Sequence, residues 1–164
     1  MANQWKYMKA QDAISGKEGT LIATWTNPKT KKKENYAIME CKNITAKVTK
    51  NKSEFKSLGE RATQHKAMGW SGTGTLTVHY ASTEYSWIMA NYVNDGLDMY
   101  FSLVIENHDP TSGLGTQRVQ LTDVNLDEAE IAKLDTEAEF LDQTMNFTFS
   151  GFNILDSFKP LAGI

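Results

Sequence analysis

The stretch Gly59–Tyr80, GERATQHKAMGWSGTGTLTVHY, decides the fold. From Glu60 to Met68 it is polar and follows neither the period of a strand nor that of an amphipathic helix. Gly69 reads as a break, and beyond it a strict period of two begins. Trp70, Gly72, Gly74, Leu76, Val78 and Tyr80 take one face, while Ser71, Thr73, Thr75, Thr77 and His79 take the other. Glycine weakens a strand interior, so Gly72 and Gly74 imply a bend or the close approach of another backbone. The threonine face is β-prone but neither apolar nor charged. Such a row suits a wall that meets water, or one along which something slides.

Working outward, Thr20–Thr26 alternates as a strand and Asn27-Pro28-Lys29 turns the chain, with Lys31-Lys32-Lys33 at a wet loop tip. Glu34–Lys50 is a long extended run. Ala37, Met39 and Cys41 share one parity and Ile44, Ala46 and Val48 the other, so a bulge near Lys42-Asn43 should bend one long strand. Residues 50–69 then form a connection without regular pattern, too long to be idle in a compact domain. A helix is predicted over 82–95, where Tyr85, Ile88, Met89, Tyr92 and Val93 fall on one stripe. Ser82 or Thr83 caps its start and Gly96 lies just past its end.

Further strands are expected at Asp98–Ile105, in Arg118–Leu134 with a second phase slip between Leu121 and Val124, and at the end of Glu139–Ser150, where Met145, Phe147 and Phe149 share a face. Residues 1–17 read as an arm, and Phe152, Ile154, Leu155 and Phe158 as an apolar tail. Six or seven strands and one helix make the chain mainly β, a single domain built as a β-sandwich or partial barrel with one flanking α-helix.

The 164 residues are 40% hydrophobic and 23% charged, ordinary for a globular domain with a real core. No apolar run reaches the roughly 20 residues of a membrane helix, so no membrane insertion is expected. The first residues lack the apolar core of a secretory signal. Cys41 is alone, which fits synthesis in a reducing cytoplasm and leaves the sequons at Asn43, Asn51 and Asn146 without meaning. Net charge is −3, so nothing global favours nucleic acid, but the distribution is uneven. Lys29–Lys66 holds eleven of the seventeen Lys and Arg residues, whereas Asp123–Asp142 holds eight acids against Lys133 alone. Two solvated faces would account for this. So would a basic surface on one copy meeting an acidic one on the next.

No nucleophile elbow, phosphate loop, zinc spacing or calcium loop is present, His65 has no ligand partner at metal spacing, and the acids of 123–142 fall where strands face solvent. An enzyme is therefore not expected, and no cofactor or metal is called for.

The runs Leu58-Gly59-Glu60-Arg61 and His65-Lys66-Ala67-Met68-Gly69-Trp70-Ser71-Gly72-Thr73-Gly74-Thr75 resemble the tube protein of contractile phage tails of the PBSX type. Ser15-Gly16-Lys17-Glu18-Gly19, Asp98-Met99-Tyr100-Phe101, Asn107-His108-Asp109-Pro110-Thr111-Ser112, Ala132-Lys133-Leu134-Asp135 and Phe147-Thr148-Phe149 stand in the same family's order. The resemblance covers nearly the whole chain, and through it the fold is related to the hemolysin-coregulated-protein tube of type VI secretion. It implies hexameric rings that stack into a hollow tube, with the strands of all subunits forming a closed lumen barrel and the helix outside. It also implies residence in a virion or phage-tail-like particle and contacts with a tail sheath protein and with baseplate or initiator and terminator proteins. DNA would transit the lumen without sequence-specific binding.

Carried onto this chain, the loop that reaches the adjacent ring is the 50–69 segment, with Lys50, Lys52, Glu54, Lys56, Glu60, Arg61, His65 and Lys66. Ser71, Thr73, Thr75, Thr77 and His79 become lumen or inter-subunit positions, and Trp5, Tyr7, Phe152 and Phe158 subunit contacts. Six subunits with about four strands each, at roughly 4.8 Å spacing and about 40° tilt, close a barrel roughly 50 Å across. A conduit should not hold its cargo, so a polar or acidic lumen is expected, with the Lys29–Lys56 bases elsewhere. Two other readings are a tube component of a secretion or bacteriocin device, and a monomeric β-sandwich ligand-binding module using Trp70, Tyr85 and Trp87.

Overall fold

The structure is a computed structural model that describes residues 8–161. Eight strands and one helix follow in the order β1 (Gly19–Thr26), β2 (Lys33–Ala37), β3 (Cys41–Phe55), β4 (Gln64–His79), α1 (Glu84–Asp95), β5 (Phe101–His108), β6 (Thr116–Leu126), β7 (Asp142–Phe149) and β8 (Gly151–Asp156). All pairings are antiparallel, in one sheet ordered β2-β1-β5-β6-β7-β4-β3, with β8 continuing from β7 along β6. The sheet is not closed into a barrel within the chain, and β2 and β3 are its two outermost strands.

The corner of the sheet lies in β6. Its first part pairs with β5 and β8, its last two residues pair with β7, and between them Asp123 takes a φ of +53°. The extra residue shifts the side-chain parity, so Leu121 and Val124 both point into the core. This is the phase slip expected from the sequence. Both halves of the sheet turn their apolar faces onto one core containing Leu21 and Ala23 of β1, Leu76 and Val78 of β4, Phe101 and Leu103 of β5, and Met145, Phe147 and Phe149 of β7.

The slip at Lys42-Asn43 is also a register shift, but the run containing it is two strands rather than one bent strand. β2 pairs with β1 at one edge and β3 with β4 at the other, so the chain changes from one half of the sheet to the other at Ile38–Glu40. Glu40 secures this crossing by accepting hydrogen bonds from Tyr36 Oη at 2.8 Å and Tyr85 Oη at 3.2 Å. Burial and Glu40 together push the Tyr85 phenol far above its ordinary pKa, so it stays a donor.

Helix α1 carries Gly96 at its C-cap in the left-handed region (φ 67°, ψ 14°), while Ser82 Oγ accepts the Glu84 N–H at 3.3 Å. Only the first half of its apolar stripe is core. Tyr85 and Ile88 are buried and Met89 packs beside them, but Tyr92 and Val93 are exposed.

Candidate assembly surfaces

Strand β4 takes its geometry from its neighbour. Gly72 stands opposite Phe149 and Gly74 opposite Phe147. A Cβ on Gly72 would lie 2.5 Å from Phe149 Cε2, and one on Gly74 would overlap the Phe147 ring and lie 2.6 Å from the Thr45 carbonyl oxygen. Neither glycine has positive φ. They are there for space: each leaves a slot that a β7 phenyl ring fills, so the nearest neighbour is a side chain where a bend or another backbone was expected.

The opposite face is a polar ladder. Thr75 Oγ1 donates to Asn146 Oδ1 at 3.0 Å, Thr77 and Thr144 share a hydroxyl contact at 3.1 Å, and Asp142 joins His79 Nδ1 at 2.9 Å and Lys42 Nζ at 2.7 Å. On β3, Thr45, Lys47 and Thr49 pair with Thr75, Thr73 and Ser71. The β4 row is the one singled out above. The β7 row of Asp142, Thr144, Asn146 and Thr148 is equally visible in sequence, since it alternates with Gln143, Met145, Phe147 and Phe149. Lys47 stands on this face, where no base was expected, because the register sets it beside Thr73.

Residues 50–69 differ most from expectation. They are no irregular loop. β3 and β4 continue past the end of β7 as an antiparallel hairpin, with Lys52 opposite Ala67 and Phe55 opposite Gln64. Gly69 does not break β4; with φ +150° it sits at a register shift between Asn51 and Lys52, a bulge in a conformation open to glycine. The ladder forms without hydrophobic alternation because both faces of the hairpin are exposed, so no core selects a parity. Lys50, Lys52, Glu54, Lys56, Glu60, Arg61, His65 and Lys66 are all exposed on it.

Trp5 and Tyr7 lie outside the described residues. The described part of the arm docks on its own chain, where Ser15 N–H donates to Asp109 Oδ2 at 3.0 Å and Gly113 N–H to Asp12 Oδ1 at 3.3 Å. Phe158 is half-buried in a tail that folds back, Lys159 N–H donating to the Leu114 carbonyl at 2.8 Å. Phe152 remains exposed and meets Trp70 edge-on at 6.3 Å.

Two carboxyls sit below their ordinary range. Lys42, then His79, hold Asp142 down, and the Ser15 and Thr111 amides hold Asp109 down. A lowered folded-state pKa adds stability above the unfolded carboxylate pKa of about 3.9, and that stability is lost as pH falls through the folded value. The melting temperature should therefore be flat from neutral pH to about 5 and fall below about 4. Asp142→Asn and Asp109→Asn should each melt lower at neutral pH and lose less on acidification, as read by fluorimetric melts. Equal acid sensitivity in all three proteins would refute the assignment.

Among the described residues no three His, Cys, Asp or Glu side chains gather as a metal site, and no helix is long and apolar enough to cross a membrane. Burial, with Glu40 adding, pushes the Cys41 thiol up, away from the thiolate a nucleophile needs. The aromatic trio of the ligand-module reading is dispersed: Tyr85 is buried, Trp87 lies in a depression beside Trp25, and Trp70 lies beside Phe149.

The described residues thus present an open β-sheet with one polar face and an exposed hairpin. The chain belongs to the phage tail tube protein family, whose model matches residues 6–156. It is 41% identical over 147 residues to the phage-like element PBSX protein XkdM of Bacillus subtilis strain 168, covering 90% of this chain and 93% of that protein. It is 41% identical over 152 residues to the uncharacterized protein YqbM of the same strain, covering 93% and 97%. In fold it is similar to a chain of the sheath–tube complex of PVC, an extracellular contractile injection system in its extended state (TM-score 0.58, 9% identity, 88% of this chain and 93% of that one). It is thus a structural tail protein and not an enzyme.

Proposed function

We propose that this chain is the tube protomer of a contractile phage tail or phage-tail-like particle. Copies join into hexameric rings, the rings stack, and the polar face lines the conduit for DNA, or for another cargo where the particle carries no genome. A surrounding sheath, a baseplate or initiator and a terminator are its other partners. The likeness to a chain of a sheath–tube complex supports this reading.

One observation carries it. The ladder from Ser71 to His79 on β4, with its partners on β3 and β7, is a wall of uncharged hydroxyls and amides, of which Thr75 pairs with Asn146 and Thr77 with Thr144. Asp142 neutralises Lys42, which leaves Lys47 as the one base of the ladder without an ion pair among the described residues. Such a wall offers a passing polyanion few salt-sensitive contacts. Strands β3, β4, β7 and the end of β6 give about four strands per copy, the number that closes a ring roughly 50 Å across at ordinary spacing and tilt. Closure would also pair the outer edge of β3, an aggregation template in a lone chain.

Negative-stain microscopy of the purified protein tests the proposal, together with light scattering at rising concentration. Six-fold rings with a stain-filled hole are expected. A monomer that persists at high concentration would overturn it.

A further inference from the structure

We infer that the acidic segment Asp127–Leu141 is the acceptor for the β3–β4 hairpin of a second copy in the next ring, which makes stacking an electrostatic head-to-tail contact. This rests on the stacked-ring reading and adds the identity of the receiving surface.

The topology places the hairpin and the Leu141 end of the acidic segment at opposite ends of one strand, while the segment's start lies beside mid-β4, where Asn146, opposite Thr75, donates to Glu128. The hairpin leaves β4 at Gly69, while at its other end His79 pairs with Asp142, where the acidic segment enters β7. Tyr80 N–H donates to the Leu141 carbonyl at 2.8 Å and Lys133 Nζ to the Asp142 carbonyl at 2.7 Å, which fixes the segment there. At about 3.4 Å per residue, the ten steps of β4 from Gly69 to His79 separate the base of the hairpin from the Leu141 end of the acidic segment by roughly 34 Å along the strand, and the hairpin points away from it. A hairpin that far from its own acidic segment can meet only another copy's. That is a heterologous contact, which propagates along an axis instead of closing on itself.

The chemistry of the surfaces matches. Between Lys50 and Met68 the hairpin has five cations, Lys50, Lys52, Lys56, Arg61 and Lys66, against Glu54 and Glu60. Asp127–Leu141 has six acids against Lys133. Among the described residues, neither the hairpin cations nor Asp135, Glu137 and Glu139 form an ion pair. Both surfaces also expose apolar groups between the charges: Phe55 and Leu58 (104% exposed) at the tip, Leu134 (98%) and Phe140 (75%) on the acceptor. A lone chain that leaves these groups in water gains nothing from them. The β-ladder also holds the hairpin in shape, so little ordering entropy is lost on docking.

Charge reversal tests this. One variant carries Lys52→Glu, Lys56→Glu, Arg61→Glu and Lys66→Glu, the other Asp135→Lys, Glu137→Lys and Glu139→Lys. Alone, each should form rings yet yield about tenfold or more fewer pelletable tubes, since like charges would then face each other. Mixed, they should form tubes of alternating rings, because each reversed surface meets its complement in the other variant. Should a reversed variant misfold by circular dichroism, Asp135→Ala, Glu137→Ala and Glu139→Ala replace it, and tubes should fall apart at lower salt than the unaltered protein's. Normal tubes from the acceptor variant, or a mixture that stays as rings, would overturn the inference while the tube reading stands. An unaltered chain that forms no rings would fail both.

Discussion

Gly74→Val is expected to leave little folded protein, and Gly74→Ala to melt roughly 6–12 °C lower, a loss of about 3 kcal/mol in a chain of this size. Nothing about the backbone forbids a side chain there, because Gly74 has no positive φ. The obstacle is occupied space. Phe147 is 1% exposed, with its ring in the Gly74 slot, and the Thr45 carbonyl blocks the other direction. Removing a glycine from the unfolded chain returns about 0.4–1 kcal/mol, too little to offset overpacking against backbone. Valine adds two more carbons, and the stability of a whole domain is only about 5–15 kcal/mol. A double-mutant cycle separates this cause from a general intolerance of β4. With Phe147→Leu the ring is gone, so Gly74→Ala should cost less in that background by about 1 kcal/mol or more. Strict additivity in urea denaturation would show that the ring and the glycine do not compete for one volume.

The same slot explains what could be read from the sequence and what could not. Alternation is imposed by a core on one side of a strand, so Leu76 and Val78, Met145 to Phe149 and Phe101 to Leu103 announced themselves. Both phase slips marked true register shifts, at Asn43 and Asp123. The sheet's continuity was not legible, because pairing partners leave no local signature, and the run Glu34–Lys50 read as one strand although its halves join opposite edges. The hairpin was hidden for the opposite reason. Its strands have no buried side, so hydrogen bonds hold them while any polar sequence is tolerated on either face. The polar wall was half legible. Its β4 row was evident, but Lys47 entered only through the β3 register, and the apolar groups of the acidic segment were masked by its charge.

Replacing Lys52–Met68 by an Asn-Gly turn should abolish tubes and leave soluble, folded protein that still forms rings. Asn51 and Gly69 face each other in register, so a two-residue turn can join them without disturbing the remaining ladder. The excised residues contribute nothing to the core, since all are exposed. Their removal should therefore leave the melting temperature within about 2 °C, the shift that roughly 0.5 kcal/mol produces in a domain of this size. Everything lost should be lost between copies. On the proposed reading, rings form through the sheet edges, of which the deletion spares β2 and Cys41–Asn51 of β3, whereas stacking uses the prong that projects beyond β7. Sedimentation and negative-stain microscopy of the deletion, beside its unaltered parent, separate the two. Tubes from the shortened chain would mean that rings stack through their flat faces and that the hairpin serves another partner. A collapse in melting temperature would mean that the hairpin belongs to the protomer's own stability, contrary to its exposure on both faces.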